Sequence, residues 1–324
     1  MAQAFVGSNP TPCTINEHQK NSKSFKVLGE YVSYLLAKKS LKHSTIKRKV
    51  KALRSLLKRG INLNDADRVI TFLNTCDLAS GTKQIILYAY EDYLKMKGIQ
   101  LKLPKIRREY PLPFIPLEKE LDQLIGRARM KMKAFLQLLK ETGARPLEAW
   151  SLKWNDIDIP NRAITIKAVK YSRSRKLRIS NELLNMLLAL PKRHDHVFST
   201  SGKRENFEKE LQHFTRNYLF MRNKLAEELK NPRIRRISLR TFRHWKATME
   251  YLRTRDIVHV KELLGHVNIQ NTLKYIHLAN AISNNESRFI CKTAKTVEEA
   301  KALIEQGFEY VTEIDGVKLF RKPK

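Results

Sequence analysis

Cysteine is nearly absent: Cys13, Cys76 and Cys291 are all that 324 residues contain. Three widely separated thiols build neither a disulfide framework nor a Cys-x-x-Cys metal clip, which points to a reducing compartment. Long apolar runs are missing too. No stretch approaches the roughly 20 residues that a bilayer-spanning helix needs, and the N-terminus lacks the basic-then-apolar order of a signal peptide. No membrane association is expected. Acid is scarce, with 32 aspartates and glutamates against 63 lysines and arginines and a net charge of +31. Such a surplus repels itself unless a polyanion is the working partner, and nucleic acid is the first candidate. The expected location is the cytoplasm, on the nucleoid.

At 42% hydrophobic the chain carries enough apolar residues to fold, and its length fits two domains better than one. Residues 1–22 are polar and aperiodic and read as a disordered arm. Residues 23–98 read as a helical domain. In it Ile46, Val50, Leu53 and Leu57 step by four, three and four, and Lys47, Lys51, Arg54 and Lys58 run alongside as a wet basic stripe. Between Lys38 and Arg59 there are ten lysines and arginines and no acid. A merely solvated face mixes signs, so this stripe is expected to meet phosphates. Further helices follow Asn64-Asp65 and Ser80. The tyrosines of the last one, Tyr88, Tyr90 and Tyr93, are expected in the core, and Gly98 ends it.

Residues 99–116 hold Pro104, Pro111, Pro113 and Pro116 among Lys102, Lys105, Arg107 and Arg108, which makes an extended basic strap between domains. A second domain is expected over 117–290, mostly helical. Within it Ala163 to Lys167 and Lys176 to Ile179 form two short strands around the turn Tyr171-Ser172-Arg173-Ser174. Arg173 and Arg175 beside that turn are further candidates for DNA contact. Residues 291–324 read as a small αβ appendage, with Asp315-Gly316 turning into a last strand. There is no internal repeat.

The chemistry-bearing residues lie in the second domain. Thr142-Gly143-Ala144-Arg145-Pro146-Leu147-Glu148 places an arginine at a helix mouth. Arg243 follows 98 residues later in Arg-Thr-Phe-Arg-His-Trp, His266 comes 23 residues after that in Leu-Leu-Gly-His, and Tyr275 nine further on. Cleaving DNA with a phenol needs a nucleophile, cations on the non-bridging oxygens and an acid for the departing 5′ oxygen. Arginine suits the second role, because its fork is bidentate and stays protonated.

In this order and spacing the sequence resembles the tyrosine recombinase (integrase) family over residues 117–278, and within it the archaeal integrases. The resemblance implies a mainly α fold with a small β-hairpin, a two-domain C-shaped clamp closed on DNA by the helical core-binding domain, and a small αβ tail. It implies Tyr275 as nucleophile, Arg145, Arg240, Arg243 and His266 around the phosphate, and Lys170 as the hairpin lysine that protonates the leaving group. Lys167 and Lys176 on the same hairpin are its rivals. Arg240 is a departure, because the family has histidine there. An arginine binds phosphate but accepts no proton near neutral pH, so His244 and the substrate phosphate both stand as alternative acceptors. The chemistry needs no cofactor, and His194-Asp195-His196 lacks a third metal ligand.

The same resemblance implies double-stranded DNA at attachment sites as substrate and a homotetramer on DNA, monomeric or dimeric when free. It also implies a possible accessory DNA-bending protein, strand exchange through a Holliday junction, and service to an archaeal mobile element. Val6 to Pro10 is the peptide that the T-arm of a tRNA gene encodes in frame, which suggests that the gene overlaps its own attachment site. The tail admits two accounts, a cap on its own catalytic domain or an arm docking on a neighbouring subunit, and the second is the one expected. A type IB topoisomerase and a catalytically inactive DNA-binding accessory protein are the competing readings.

Overall fold

The computed structural model describes residues 26–37, 41–107, 109, 111–169, 172–283, 289–314 and 316–323. The expectations for residues 1–22, Arg108 and Lys170 fall outside them. Two compact units divide the chain, Met1–Pro111 and Leu112–Lys324.

The first unit holds four helices among its described residues: α1 (residues 26–37), α2 (His43–Leu57), α3 (Ala66–Thr75) and α4 (Ser80–Met96). Leu28, Tyr31 and Leu35 of α1 meet Ile46, Leu53 and Leu56 of α2 and Leu87, Tyr90 and Tyr93 of α4 in one core. Buried tyrosine hydroxyls find acceptors, as they must: Tyr31 donates to the Ala89 carbonyl at 2.9 Å and Tyr90 to the Leu63 carbonyl at 2.9 Å. Tyr88 corrects one expectation, since it is 52% exposed. The core stripe steps through Ile86, Tyr90, Tyr93 and Leu94, and Tyr88 falls off it. The strap after α4 is extended, and it packs Leu103 and Ile106 against this unit's own core.

The second unit runs α5 (Glu118–Arg127), α6 (Met130–Thr142), α7 (Pro146–Trp150), β1 (Ile157–Asp158), β2 (Ala163–Ile166), β3 (Arg175–Arg178), α8 (Asn181–Leu188), α9 (Phe207–Glu228), α10 (Leu239–Thr254), α11 (Ile257–Leu264) and α12 (Gln270–Ser283). The three strands form one antiparallel sheet in chain order; β2 pairs with β3 in the register Ile164 with Leu177. The two-residue β1 was not anticipated. Phe135, Trp150 and Phe214 pack edge to face, with centroids 4.9–5.6 Å apart, at the centre of the core. Helix α10 lies against both α6 and α12, which is how residues far apart in sequence converge.

Beyond α12, β4 (Phe289–Ala294), α13 (Val297–Glu305), β5 (Glu309–Ile314) and β6 (Val317–Pro323) build a second antiparallel sheet in the order β4-β6-β5. Ala294, Ala300, Leu303, Phe308 and Phe320 give it a small core of its own.

Candidate active site

Local sequence explains how each polar group arrives. Helix α6 stops at Gly143, whose φ of 58° an L-residue side chain disfavours. Pro146 then starts α7 at its first position, and Glu148, three residues past the cap, accepts from the Arg145 backbone N–H at 3.1 Å. The same carboxylate takes Arg145 Nη1 at 2.8 Å, Arg175 Nη2 at 3.0 Å and the Ser172 hydroxyl at 2.9 Å. Glu148 is 1% exposed. Burial pushes its carboxyl up, yet the charge of Arg175 and the hydrogen bonds from Arg145 hold it below the usual range.

Arg243 occupies the centre. Nη1 donates to the Gly143 carbonyl at 2.7 Å, and Nη2 donates to the Leu264 carbonyl at 2.8 Å and meets His266 Nε2 at 2.9 Å. These acceptors are the leftover carbonyls of α6 and α11, whose helices end at Gly143 and Gly265. Of the five N–H groups a guanidinium carries, two have no partner among the described residues. Burial lowers its pKa to about 9, and the charge of Arg145 adds to this. It stays a cation at neutral pH.

A guanidinium only donates, so His266 Nε2 must accept, and its proton sits on Nδ1, 2.9 Å from Thr272 Oγ1. Burial, followed by the charge of Arg243, depresses this imidazole to about 3. His266 is therefore neutral, 7% exposed, and engaged with Arg243. In the structure its Nε2 meets the Arg243 guanidinium, the group expected to lie with it around the phosphate. Gly265 lets the chain turn there with a φ of 66°, and a Cβ on it would stand 2.6 Å from the Arg173 carbonyl oxygen.

Tyr275 is 1% exposed, among Ala247, Val260, Leu264 and Leu278. Its hydroxyl is 3.1 Å from His244 Nδ1, and Lys274 Nζ lies 5.2 Å from its ring centroid. Burial raises the phenol to about 12 against the opposing pull of Arg243 and Arg145. Three guanidiniums, from Arg145, Arg175 and Arg243, surround one carboxylate, so the pocket keeps surplus positive charge suited to an anion.

The structure thus brings Arg145, Arg243, His266 and Tyr275 together. It leaves Arg240 exposed on α10 without a side-chain partner among the described residues. Lys170 lies outside those residues; Ser172, two positions on, bridges to His266. Arg175 corrects an expectation: its side chain is 6% exposed and salt-bridged to Glu148, not offered to solvent. The alternation of β3 carried that signal, because Arg175 shares a face with Leu177 while Lys176 and Arg178 point outward. Arg173 is exposed, as are Arg107 and the whole stripe Lys47, Lys51, Arg54 and Lys58. Thr272 and Lys274 were missed, and no motif marks them.

A family model described as the phage integrase family matches residues 117–281. The chain belongs to that family. A probable integrase/recombinase protein of Methanocaldococcus jannaschii is 30% identical over 166 residues, 49% of each chain, so this chain spans about half that relative's length. Tyrosine recombinase XerA of Pyrococcus furiosus is 26% identical over 274 residues, 79% of this chain and 93% of that one. Among solved structures, a lambda integrase tetramer bound to a Holliday junction shares the fold at a TM-score of 0.55 and 16% identity, covering 82% of this chain and 83% of that one. The family and the mainly helical architecture expected from the motifs are borne out. No helix of the described residues is long and apolar enough to cross a membrane.

Proposed function

We propose that this phage-integrase-family chain is a site-specific DNA recombinase in which Tyr275 attacks the scissile phosphate, leaving a 3′ phosphotyrosine and a free 5′ hydroxyl. The observation that carries this reading is the convergence of Arg145, Arg243 and His266 on the surroundings of Tyr275, with two Arg243 N–H groups left for an incoming oxygen. Arg145 and Arg243 hold the non-bridging oxygens and neutralise the charge that builds in the transition state. His266 fixes Arg243, and Glu148 fixes Arg145 against Arg175. Exposed Arg240 adds a cation for phosphate, and Lys170 protonates the leaving oxygen.

Duplex DNA is held by the basic stripe Lys47, Lys51, Arg54 and Lys58 and by Arg107, Arg108 and Arg173, mostly through phosphates, which position without specifying sequence. The working assembly is a homotetramer on two attachment sites, exchanging strands through a Holliday junction on behalf of an archaeal mobile element. Its attachment site overlaps the codons of Val6 to Pro10, as part of a tRNA gene. The nucleotide sequence of those codons tests the overlap, and absence of a tRNA-like segment ends it.

The decisive experiment is a nicked suicide duplex that traps the covalent intermediate. The adduct is expected with the unaltered chain and lost in Tyr275→Phe. A persistent adduct in that variant refutes the nucleophile, and no adduct with either protein favours an accessory DNA-binding role. Strand-exchanged product from two-site DNA is expected; relaxation of supercoiled DNA without it favours a type IB topoisomerase.

A further inference from the structure

Arg240 cannot take a proton, so the group that deprotonates the nucleophile must lie elsewhere. Resting on the reading of Tyr275 as nucleophile, we infer that His244 is a catalytic residue whose Nδ1 accepts the Tyr275 hydroxyl proton as that oxygen attacks phosphorus. Nδ1 stands 3.1 Å from Tyr275 Oη, inside the range required of a general base. Among the described residues this is the one hydrogen bond the phenol oxygen makes. If Nδ1 donated, the buried phenol proton would have no acceptor there, so the phenol donates and Nδ1 accepts.

Arg240 and His244 are four residues apart on α10 and share a helix face. The departure at position 240 therefore leaves a cation on this face and moves the proton acceptor one turn along it. His244 is half-buried and follows Arg243 directly, so one turn of α10 supplies both a phosphate clamp and the base. The helix is pinned there by Thr248 Oγ1, which donates to the His244 carbonyl at 2.9 Å.

The charged and titratable groups facing His244 are Lys274 and Tyr275 of α12 and Arg240 and Arg243 of α10. Burial and those three cations keep the imidazole neutral, with a pKa of about 4, so its lone pair is available at neutral pH. The phenol stands at about 12, so no ion pair forms at rest. The proton moves in step with attack: the bond from Tyr275 Oη to phosphorus forms, the bond from phosphorus to O5′ breaks, and the Oη proton passes to Nδ1. The departing O5′ takes its proton from a separate acid, the role assigned to Lys170. The anionic phosphate offsets the cations that depress His244 and raises its basicity when it is needed. Religation returns the proton to Oη.

The test uses the full chain and a nicked duplex selected by covalent capture from random-sequence DNA, with and without a 5′-bridging sulfur at the scissile phosphate. A thiolate leaves without an acid, so the sulfur substrate isolates the base. His244→Ala is expected to slow single-turnover adduct formation by about 10²–10⁴-fold on both duplexes, with partial rescue by added imidazole. His244→Gln keeps a hydrogen-bond acceptor but takes no proton, and is expected to be equally slow. Wild-type speed in either variant overturns the assignment, and so does a slow alanine variant that imidazole leaves unchanged. A readout independent of variant folding is the solvent deuterium effect of the unaltered chain on the sulfur substrate. Slowing in deuterium oxide is expected, and its absence also overturns the assignment. If Tyr275→Phe is dead while His244→Ala is unimpaired, only the base assignment falls; if Tyr275→Phe still forms adduct, the nucleophile falls with it.

Discussion

Replacing Glu148 by glutamine removes one negative charge from a pocket with three guanidiniums while keeping the side chain's shape. The carboxylate accepts four hydrogen bonds: the Arg145 backbone and Nη1, Arg175 Nη2 and the Ser172 hydroxyl. The amide nitrogen of glutamine can accept none of those that fall to it. Arg175 suffers most, because its side chain is 6% exposed and its Nε and Nη1 already lack partners among the described residues. Leaving a buried charge unpaired costs about 3–5 kcal/mol, whereas Arg145, with a 34% exposed side chain, is compensated by water and adds little. We expect Glu148→Gln to destabilise the second unit by about 4 kcal/mol, a large part of the roughly 5–15 kcal/mol that holds a domain together. Urea unfolding followed by circular dichroism should show a lower midpoint with an unchanged slope. A double variant, Glu148→Leu with Arg175→Leu, should recover much of the stability and none of the DNA cleavage, since Arg145 stays unoriented. A loss under about 1 kcal/mol in Glu148→Gln would refute the claim that this carboxylate organises the pocket.

Folded stability should fall on acidification from pH 6.5 to 5. His244 and His266 stand at about 4 and 3 when folded and near 6.5 when unfolded, so the unfolded chain binds protons first, at about 1.4 kcal/mol per pH unit for each. His266→Gln should shallow that slope by about one proton, read from urea midpoints across the range; an unchanged slope would contradict the neutral buried imidazole. Gly265→Ala should cost about 2 kcal/mol or more, from its φ of 66° together with the approach to the Arg173 carbonyl, and should cut adduct formation by unseating His266. Alanine at Lys47, Lys51, Arg54 or Lys58 should each reduce the slope of log affinity against log salt by about 0.9 if that side chain meets a phosphate, and an unchanged slope assigns it to solvent. Deleting residues 293–324 should weaken assembly on two-site DNA more than binding to one site; equal loss would mark the tail as a cap on its own domain.

Much of the site was legible because the chemistry ties residue types to backbone punctuation. Gly143, Pro146 and Gly265 end or start helices, and Arg145, Glu148 and His266 sit within two residues of those points. The appendage was legible from its alternation and its Asp315-Gly316 turn, and β5 and β6 do flank residue 316. Thr272 was not legible, since its value lies only in facing His266 Nδ1 across the turn into α12. The charge of Arg175 masked its position: it was counted with the basic surface although the period of its strand turns it inward. Tyr88 erred the other way, an aromatic credited to the core on composition although its helical angle lies off the buried stripe. Contact between distant elements, such as Arg243 on the carbonyls of α6 and α11, leaves no local pattern to read.

The near-complete enclosure of Tyr275 has a kinetic consequence. On the proposed reading of Tyr275 as nucleophile, a phosphate of duplex DNA cannot touch an oxygen whose residue is 1% exposed until part of α12 yields, so strand scission would include a conformational step before any bond changes. On that reading the latency should leave the free protein inert toward stray phosphodiesters. It also places control of the first cut in whatever loosens one 14-residue helix.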